Sequence, residues 1–470
     1  MKSTIVNSTM LGLAIAGGVA PATAAKSNEK MNIVLLFVDD LGWADVGFRN
    51  PKFDTPNTDQ LFRDGMSFER AYVGQPASSA SRASLMTGME PVRTGVVRHI
   101  ENKDAASGRK YNMWDGDPTL MPSLNYLPLE FKTYAERMSE LGYYNMFVGK
   151  WHLGEPEYWA EHQGFDEVWG ESEFGNVSDY FAPFFKYPKG EDTTKDTAKK
   201  GEFMTDYLTD KAVEMIENYD KDQPFMMSFS YYNVHTPNQG RPELVEHYMK
   251  RGMSRKDANY AAQVAVVDKS VGQIRKAIED KGISDNTVII YFSDQGGYFT
   301  NYPLRGRKDI HDTLAEGGIR VPMAVYYPGV TKAGSTTEVP VQAIDFFPTF
   351  VEIAGGNPKS DKLVNGVSLM PLLKGKTIKE RDIHFFRAYI EQYAAMIDGN
   401  WKIIKYMPEK DKMSDPCTYE MYNITNDMSE TTDLQKMYPE RFEAMKKRLR
   451  AWEVEAVPEY KNDYRKRYNF

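Results

Sequence analysis

Cysteine and histidine are both scarce in this chain. Cys417 is the only cysteine, so no disulfide can form within the chain, and stability must come from packing. The chain has only seven histidines, and they form no His/Cys cluster of the kind that binds zinc. The sequence therefore excludes a disulfide-stabilised scaffold and disfavours a zinc centre.

An excess of positive charge is also missing. The 470 residues include 58 Lys and Arg against 66 Asp and Glu, which gives a net charge of -8 and a pI near 5.6. Nucleic acid is thus disfavoured as a partner, and a positive field for an anionic substrate must be local. With 41% hydrophobic and 26% charged residues, the composition is typical of a soluble globular protein.

The N-terminal segment lacks the apolar length that a membrane-spanning helix needs. After a basic start at Lys2, its apolar stretch runs only from Met10 to Ala20, and small residues at 22–24 precede a polar run. This pattern predicts a secretory signal peptide over residues 1–25, the alternative being a disordered polar tail. No cysteine lies near the cleavage site, which argues against a lipid anchor there.

A pair of carboxylates follows the first long apolar run of the mature chain. Residues 31–38 are continuously apolar apart from Asn32, which is typical of a strand buried in a parallel sheet, and they lead into Asp39 and Asp40. Open α/β sheets bind ligands at the carboxyl ends of their strands, and adjacent carboxylates there call for a cation. The pair alone is equally consistent with an acidic turn or helix start.

A second apolar run, residues 287–292, leads into Asp294 and Gln295 in the same way. A carboxylate and an amide carbonyl after a buried strand complement the first carboxylate pair. All these ligands are oxygen atoms, which favour a hard cation, Ca²⁺ before Mg²⁺.

The segment from Ser78 to Gly88 is dense in small and hydroxylated residues and has Arg82 inside it. Small side chains before an apolar pair predict a tight loop leading into a helix, whose first N–H groups favour an anion. Arg82 adds a planar donor group suited to sulfate or phosphate. The alternative is an ordinary helix start in which serines cap the N–H groups.

Two further segments place basic side chains directly after predicted strands. Lys150 and His152 follow a strand over residues 144–148, and His235 follows one over residues 225–230. A lysine can hold a sulfate oxygen, and a histidine can transfer a proton near neutral pH. Taken singly, each is better explained as a surface lysine, a turn histidine or a core histidine.

The segment from Ser78 to Gly88 resembles the signature of type I sulfatases. That signature reads Cys or Ser, any residue, Pro or Ala, Ser-Arg, three residues, Leu or Met, and Thr-Gly. Stretches around residues 150, 235 and 316 are similar to further motifs of this family in the same order. The resemblance runs from residue 32 to about residue 435 and implies an alkaline-phosphatase-like α/β fold.

The resemblance also implies a mechanism. In this family the first residue of the signature, here Ser78, is oxidised to formylglycine (3-oxoalanine), whose hydrate attacks sulfur. Arg82 and the lysines would neutralise the sulfate, His235 would protonate the departing alcohol, and His152 would accept a proton as sulfate leaves. The implied Ca²⁺ ligands are Asp39, Asp40, Ser78, Asp294 and Gln295. The implied catalytic residues are Ser78, Arg82, Lys150, His152, His235 and Lys308.

Two positions depart from the family pattern. The family more often has asparagine at the position of Gln295, and glutamine carries the same carbonyl on a longer side chain. The separation between Lys308 and Glu316 is longer than in the family, as expected of a small insertion over residues 309–313. Arg307 therefore competes with Lys308 for the role of the second lysine.

A serine at the modified position implies a bacterial enzyme. Serine-type maturation in this family depends on a radical-type maturase that acts before export, so a transient contact with that enzyme is expected. With the predicted signal peptide, this indicates a bacterial periplasm or cell surface as the destination. The default substrate of such an enzyme is a sulfated carbohydrate.

The pattern of secondary structure changes near residue 375. We predict a catalytic domain over residues 26–375, with a mostly parallel central sheet flanked by helices. Residues 376–470 are predicted as a smaller subdomain with an antiparallel sheet and one closing helix. No internal repeat or low-complexity linker separates them.

Two other functions are compatible with parts of the pattern. One is a phosphodiesterase or phosphonate hydrolase of the same superfamily, although such enzymes usually carry more histidine and acid ligands for a second metal. The other is a non-catalytic sulfated-glycan-binding protein, which would arise if Ser78 is never oxidised.

Overall fold

The structure, a computed structural model, describes residues 30–100, 111–112, 123–185, 197–299, 301–308, 313–388, 392–406 and 416–456. The predicted signal peptide over residues 1–25 and most of the predicted insertion at 309–313 lie outside these ranges. Among the described helices, none combines the length and the apolar composition needed to cross a bilayer.

Strands form four sheets among the described residues. In chain order the strands are β1 (Asn32–Val38), β2 (Met66–Phe68), β3 (Ala71–Tyr72), β4 (Tyr111–Asn112), β5 (Ser123–Leu124), β6 (Tyr144–Gly149), β7 (Glu167–Trp169), β8 (Phe225–Ser230), β9 (Thr287–Ser293), β10 (Arg320–Val321), β11 (Ala324–Tyr326), β12 (Ser335–Thr337), β13 (Val341–Gln342), β14 (Asp382–Ala388), β15 (Gln392–Asp398), β16 (Trp401–Tyr406) and β17 (Thr418–Asn423).

Helices lie between these strands along the chain. The α-helices are α1 (Pro56–Asp64), α2 (Ser78–Thr87), α3 (Pro91–Thr94), α4 (Tyr134–Glu140), α5 (Met204–Glu217), α6 (Pro242–Lys250), α7 (Arg255–Asp280), α8 (Glu316–Ile319), α9 (Phe346–Ile353), α10 (Met370–Leu373) and α11 (Pro439–Ala456). Short 3₁₀ helices cover Pro156–Tyr158, Ala160–His162, Ser284–Asn286 and Ala343–Asp345.

The central sheet has the strand order β12-β2-β11-β9-β1-β8-β6-β7. Neighbouring strands from β9 to β7 are parallel, and β11 runs antiparallel to both β9 and β2. Every residue of β1, β8 and β9 is buried, which explains why these strands appear in the sequence as apolar runs without alternation. The predicted mostly parallel sheet is confirmed.

The parallel arrangement brings distant parts of the chain to one edge of the sheet. Because β1, β6, β8 and β9 run in the same direction, the residues that follow them emerge side by side. Asp39 follows β1, Lys150 follows β6 and Asp294 follows β9. Three segments that were singled out separately in the sequence therefore meet at the carboxyl edge.

Helix α4 begins with a capping box at Thr133. The Thr133 side chain accepts a hydrogen bond from the Glu136 N–H, and the Glu136 carboxylate accepts one from the Thr133 N–H. Both groups satisfy N–H donors at the start of α4 that have no partner inside the helix. This local pattern was readable from the sequence alone.

A separate four-stranded antiparallel sheet, β14-β15-β16-β17, forms the C-terminal part of the protein. A tight turn at Gly399, with φ of 53°, joins β15 to β16. Met445 and Leu449 of α11 pack in one apolar cluster with Met396 and Ile403 of this sheet. The predicted antiparallel sheet and closing helix are confirmed, whereas the boundary near residue 375 stays a prediction.

A buried ionic cluster joins this sheet to the larger part of the protein. The ammonium group of Lys402, on β16, lies 3.0 Å from Glu316 Oε1 and 2.8 Å from Glu430 Oε1. The side chains of all three residues have no exposed surface. Glu316 also accepts a hydrogen bond from the Tyr72 hydroxyl and lies 3.5 Å from Arg320. One lysine therefore bridges two buried carboxylates at this junction, and Arg320 adds a positive charge beside Glu316.

Candidate active site

Three carboxylates meet at the carboxyl edge of the central sheet. Asp39, Asp40 and Asp294 are fully buried, and each offers an oxygen atom within 4.8 Å of the others. Asp40 has a left-handed backbone conformation, with φ of 62°, and its N–H donates to Asp294 Oδ1 over 3.0 Å. The pKa of Asp40 and of Asp294 is raised to about 6, mainly by burial; a neighbouring carboxylate contributes to the rise, and the nearby basic side chains oppose it.

Ser78 and Gln295 are in direct contact beside this cluster. Gln295 Nε2 donates to Ser78 Oγ over 2.7 Å, and both side chains are buried. Ser78 is the first residue of α2, and the preceding Ala77, which occupies the N-cap position, makes no side-chain cap. The alternative interpretation, in which serines of this segment cap the helix, is therefore wrong.

Three basic side chains contact the carboxylates, and the first two are Arg82 and Lys150. Arg82 Nη2 lies 2.9 Å from Asp294 Oδ2 and 3.5 Å from Asp39 Oδ1. Lys150 Nζ lies 2.6 Å from Asp39 Oδ2, and this lysine is fully buried. Burial lowers the pKa of Lys150, although the nearby carboxylates oppose the shift.

The two candidates for the role of the second lysine, Lys308 and Arg307, lie in different surroundings. Lys308 Nζ lies 2.7 Å from Asp40 Oδ2 and 4.6 Å from the centre of the Tyr298 ring. Arg307 is exposed, and its guanidinium donates to the Tyr298 carbonyl over 3.2 Å. Of the two adjacent candidates, only Lys308 reaches the carboxylate cluster.

The two histidines have defined tautomers when neutral. A carbonyl oxygen can only accept, so His152 Nε2, 2.8 Å from the Ile100 carbonyl, carries the proton, and His152 Nδ1 has no partner among the described residues. His235 Nδ1 likewise donates to the Thr236 carbonyl, and its Nε2 lies 3.6 Å from Asp40 Oδ2. Burial, together with nearby lysines, lowers the pKa of both histidines well below the usual value.

Gly175 lies against the ring of His152, a contact with no signal in the sequence. A Cβ added at Gly175 would stand 2.4 Å from His152 Cε1 and 2.6 Å from His152 Nε2. The ring cannot yield without losing its hydrogen bond to Ile100, so Gly175→Ala must displace it. On the proton-transfer role that the family resemblance implies for His152, kcat/KM should fall about 100-fold, as for other small misplacements of catalytic groups.

Steady-state kinetics and thermal unfolding of Gly175→Ala check this expectation. The control is Gly356→Ala, whose added Cβ would stand 2.9 Å from a Val351 methyl group, away from the carboxylates. Activity equal to that of the control variant would show that Gly175 has no bearing on His152.

The residues of the cluster are suited to a hard cation. Asp39 Oδ1, Asp40 Oδ1 and Gln295 Oε1 are buried oxygen atoms without a hydrogen-bond partner among the described residues. Such groups are costly unless they bind something, and carboxylate and amide oxygens are the ligands that Ca²⁺ prefers. Three aspartates, Asp39, Asp40 and Asp294, lie close enough together to share an ion. Among the described residues, they are the one group of three or more His, Cys, Asp and Glu side chains for which this holds.

Comparison with known proteins agrees with this architecture. The family model described as Sulfatase matches residues 31–356, and the one described as N-sulphoglucosamine sulphohydrolase, C-terminal, matches residues 311–455. The chain is 30% identical to N-acetylgalactosamine-6-sulfatase of Mus musculus over 77% of this chain and 70% of that protein. It is 28% identical to a sulfatase of Formosa agariphila over 98% of both chains.

Solved structures show the same fold. The crystal structure of Ps i-CgsB in complex with k-i-k-neocarrahexaose is similar, with a TM-score of 0.77 and 28% identity over 93% of this chain and 100% of that one. The resemblance in the segment from Ser78 to Gly88 thus extends to the whole described fold. The chain belongs to the sulfatase family, has its alkaline-phosphatase-like fold, and is a sulfuric ester hydrolase.

Proposed function

We propose that this protein removes sulfate from a glycan or its oligosaccharides, with Ser78 converted to formylglycine and one Ca²⁺ bound beside it. The observation that carries the proposal is the convergence at one buried site of six residues from four separate segments of the sequence. They are Ser78, Arg82, Lys150, His152, His235 and Lys308, and all but His235 are less than one-tenth exposed. Their arrangement around three carboxylates supports an ion and an anionic substrate together.

The ion would be held by Asp39, Asp40, Asp294, Gln295 and the oxygen of residue 78. When bound, Ca²⁺ supplies a Lewis acid, and formylglycine supplies an aldehyde whose hydrate is a nucleophile. The charges support this arrangement, because three carboxylates face three basic side chains and the cluster is neutral by formal count. A divalent cation makes it positive, which favours a sulfate monoester.

The basic side chains would hold the sulfate group. Arg82 is fixed on α2, four residues after Ser78, and its guanidinium is also bound to the Lys150 carbonyl over 2.9 Å. Lys150 forms an ion pair with Asp39, and Lys308 forms one with Asp40. All three charges are buried and oriented before substrate arrives, so little reorganisation is needed on binding.

Each histidine uses one ring nitrogen for a backbone carbonyl and leaves the other nitrogen for proton transfer. His152 donates through Nε2 to the Ile100 carbonyl, so its Nδ1 is the atom that can accept a proton. His235 donates through Nδ1, so its transferring atom is Nε2, 3.6 Å from Asp40 Oδ2, and this atom must take up a proton before it can donate one to the departing alcohol. The tautomers do not separate the two roles, and we assign His152 as the base and His235 as the acid from the family resemblance.

The carbohydrate substrate is inferred from the relatives. N-acetylgalactosamine-6-sulfatase names a sulfated sugar, and Ps i-CgsB was crystallised with a neocarrahexaose. For this chain, the sugar and the sulfate position are open. We also propose export under the predicted signal peptide and maturation of Ser78 by a radical-type maturase.

The test is to express the full chain with and without a radical-type maturase and to measure both modification and turnover. Peptide mass spectrometry should show the Ser78 peptide lighter by two hydrogen atoms only with the maturase. Sulfate release from a panel of sulfated mono- and oligosaccharides should rise in proportion to that conversion. An unmodified Ser78 in active protein would overturn the proposal, as would faster turnover of phosphate esters than of sulfate esters.

A further inference from the structure

A fourth carboxylate lies behind the proposed calcium site. Asp45 is 1% exposed, and no ion pair involving it is found in the part of the chain that the structure describes. Its Oδ2 accepts hydrogen bonds from the Gly42 N–H over 3.0 Å and from the Tyr260 hydroxyl. Burial raises the pKa of Asp45 to about 6, and the hydrogen bonds from Tyr260 and Gly42 oppose the rise because they stabilise the carboxylate.

The bond from Gly42 completes a row of three. The N–H groups of residues 40, 41 and 42 donate in turn to Asp294 Oδ1, Ser293 Oγ and Asp45 Oδ2, each over 3.0 Å. Side chains therefore bind every N–H of the turn that presents Asp40. The turn needs this support, because the left-handed conformation of Asp40 strains the backbone of a residue other than glycine.

The same carboxylate also contacts the other turn of the proposed site. A Cβ at Gly297 would stand 2.7 Å from Asp45 Oδ2 and 2.9 Å from the Gly42 nitrogen, and a Cβ at Gly42 would stand 2.6 Å from Asp45 Oδ2. Both glycines are thus required for the close approach of the two backbones. The turn after β1 and the turn after β9 pack together on Asp45.

Tyr260 connects this arrangement to the long helix α7. Its hydroxyl donates to Asp45 and also lies 3.5 Å from the Asp40 carbonyl, and its ring is packed against Phe53 and Phe299. The ring is 1% exposed, so the hydroxyl has a fixed position. Helix α7 thereby sets where the Asp40 turn lies.

We propose that Asp45 and Tyr260 are positioning residues that hold the Asp40 turn in the conformation that binds Ca²⁺. This inference rests on the proposed function, since it assumes that Asp40 is a calcium ligand. Groups that orient metal ligands typically change metal affinity about 10- to 100-fold when they are removed. Neither residue needs to contact the ion or the substrate for this effect.

The test is calorimetric titration of Ca²⁺ into the metal-free full chain. For Tyr260→Phe, which removes one hydroxyl and keeps the ring, we expect the Kd for Ca²⁺ to rise about tenfold. The matched control is Tyr134→Phe, which removes an equally buried hydroxyl, bound to Ser228 over 2.7 Å. The control should lower the melting temperature without metal by a similar amount and leave the Kd within about twofold of the wild-type value.

Asp45→Asn provides a second variant, because it keeps the shape of the side chain and weakens both bonds by removing the charge. It should also raise the Kd about tenfold, so the inference stays testable if Tyr260→Phe folds poorly. An unchanged Kd in the Tyr260 and Asp45 variants would overturn the inference, as would an equal rise in the control. If the wild-type protein itself takes up no Ca²⁺, the proposed metal site fails and the inference fails with it.

Discussion

Ser78→Ala is expected to lower the rate of sulfate ester hydrolysis by about four orders of magnitude or more, as removal of a catalytic nucleophile does in other hydrolases. Alanine cannot be oxidised to an aldehyde, and it also removes the oxygen atom that Gln295 contacts over 2.7 Å. The remaining cluster still holds Arg82 and both lysines, so binding of a sulfated substrate should persist. Turnover should therefore vanish while the Kd for substrate changes little.

A neighbouring serine in the same helix serves as the control. Ser84 is also buried, and its hydroxyl donates to the Ser81 carbonyl over 2.8 Å, without contact to the carboxylates. Ser84→Ala should retain turnover within a few fold, measured as sulfate release by protein expressed with the maturase. If Ser78→Ala kept wild-type turnover, residue 78 could not be the nucleophile. If both variants lost turnover equally, the loss would not be specific to residue 78.

Much of the fold can be predicted from the sequence because its central strands are buried on both faces. β1 and β9 appear as apolar runs followed by acids, and their direction places those acids at one edge. The short outer strands β2 and β12 have three residues each. So short a segment carries no readable period, and it becomes a strand only because its partners are already in place.

The candidate site likewise contains residues that the sequence predicts and residues that it does not. Ser78, Arg82 and the paired aspartates lie in local patterns, so the sequence predicts them. Tyr260 contacts Asp45 across 215 positions of sequence, and nothing near either residue indicates the contact. Such residues depend on packing between elements, and only coordinates reveal them.

The choice between Lys308 and Arg307 shows most directly what sequence alone does not decide. The two residues are adjacent and both basic, so no argument from residue type separates them. The direction of each side chain is set by the loop, in which the Lys308 N–H donates to the Gly297 carbonyl over 3.2 Å. That bond ties Lys308 to the turn after β9 and leaves Arg307 on the exposed side.

Lys402→Met is expected to be the most destabilising single substitution outside the site, lowering the free energy of unfolding by about 3–5 kcal/mol. The ammonium group lies within 3.0 Å of both Glu316 and Glu430, and methionine fills the space without the charge. Burial raises the pKa of Glu430, and its closeness to Glu316 opposes ionisation further. Without Lys402, the two carboxylates would lose their nearest positive charge and would face each other in the interior, with Arg320 3.5 Å from Glu316 and Arg305 3.7 Å from Glu430.

Urea denaturation of the full chain at several pH values measures the effect. The loss of stability should be larger at pH 8 than at pH 5, because at low pH one glutamate can take up a proton and relieve the repulsion.

The double variant Lys402→Met/Glu430→Gln removes one of the two negative charges and should recover about half of the lost stability or more, since Glu316 keeps Arg320 and Tyr72 as partners. Lys376→Met, at an exposed lysine, should change stability by less than about 0.5 kcal/mol. A double variant less stable than Lys402→Met would show that packing at this junction, and not neutralisation of the two carboxylates, is what Lys402 contributes.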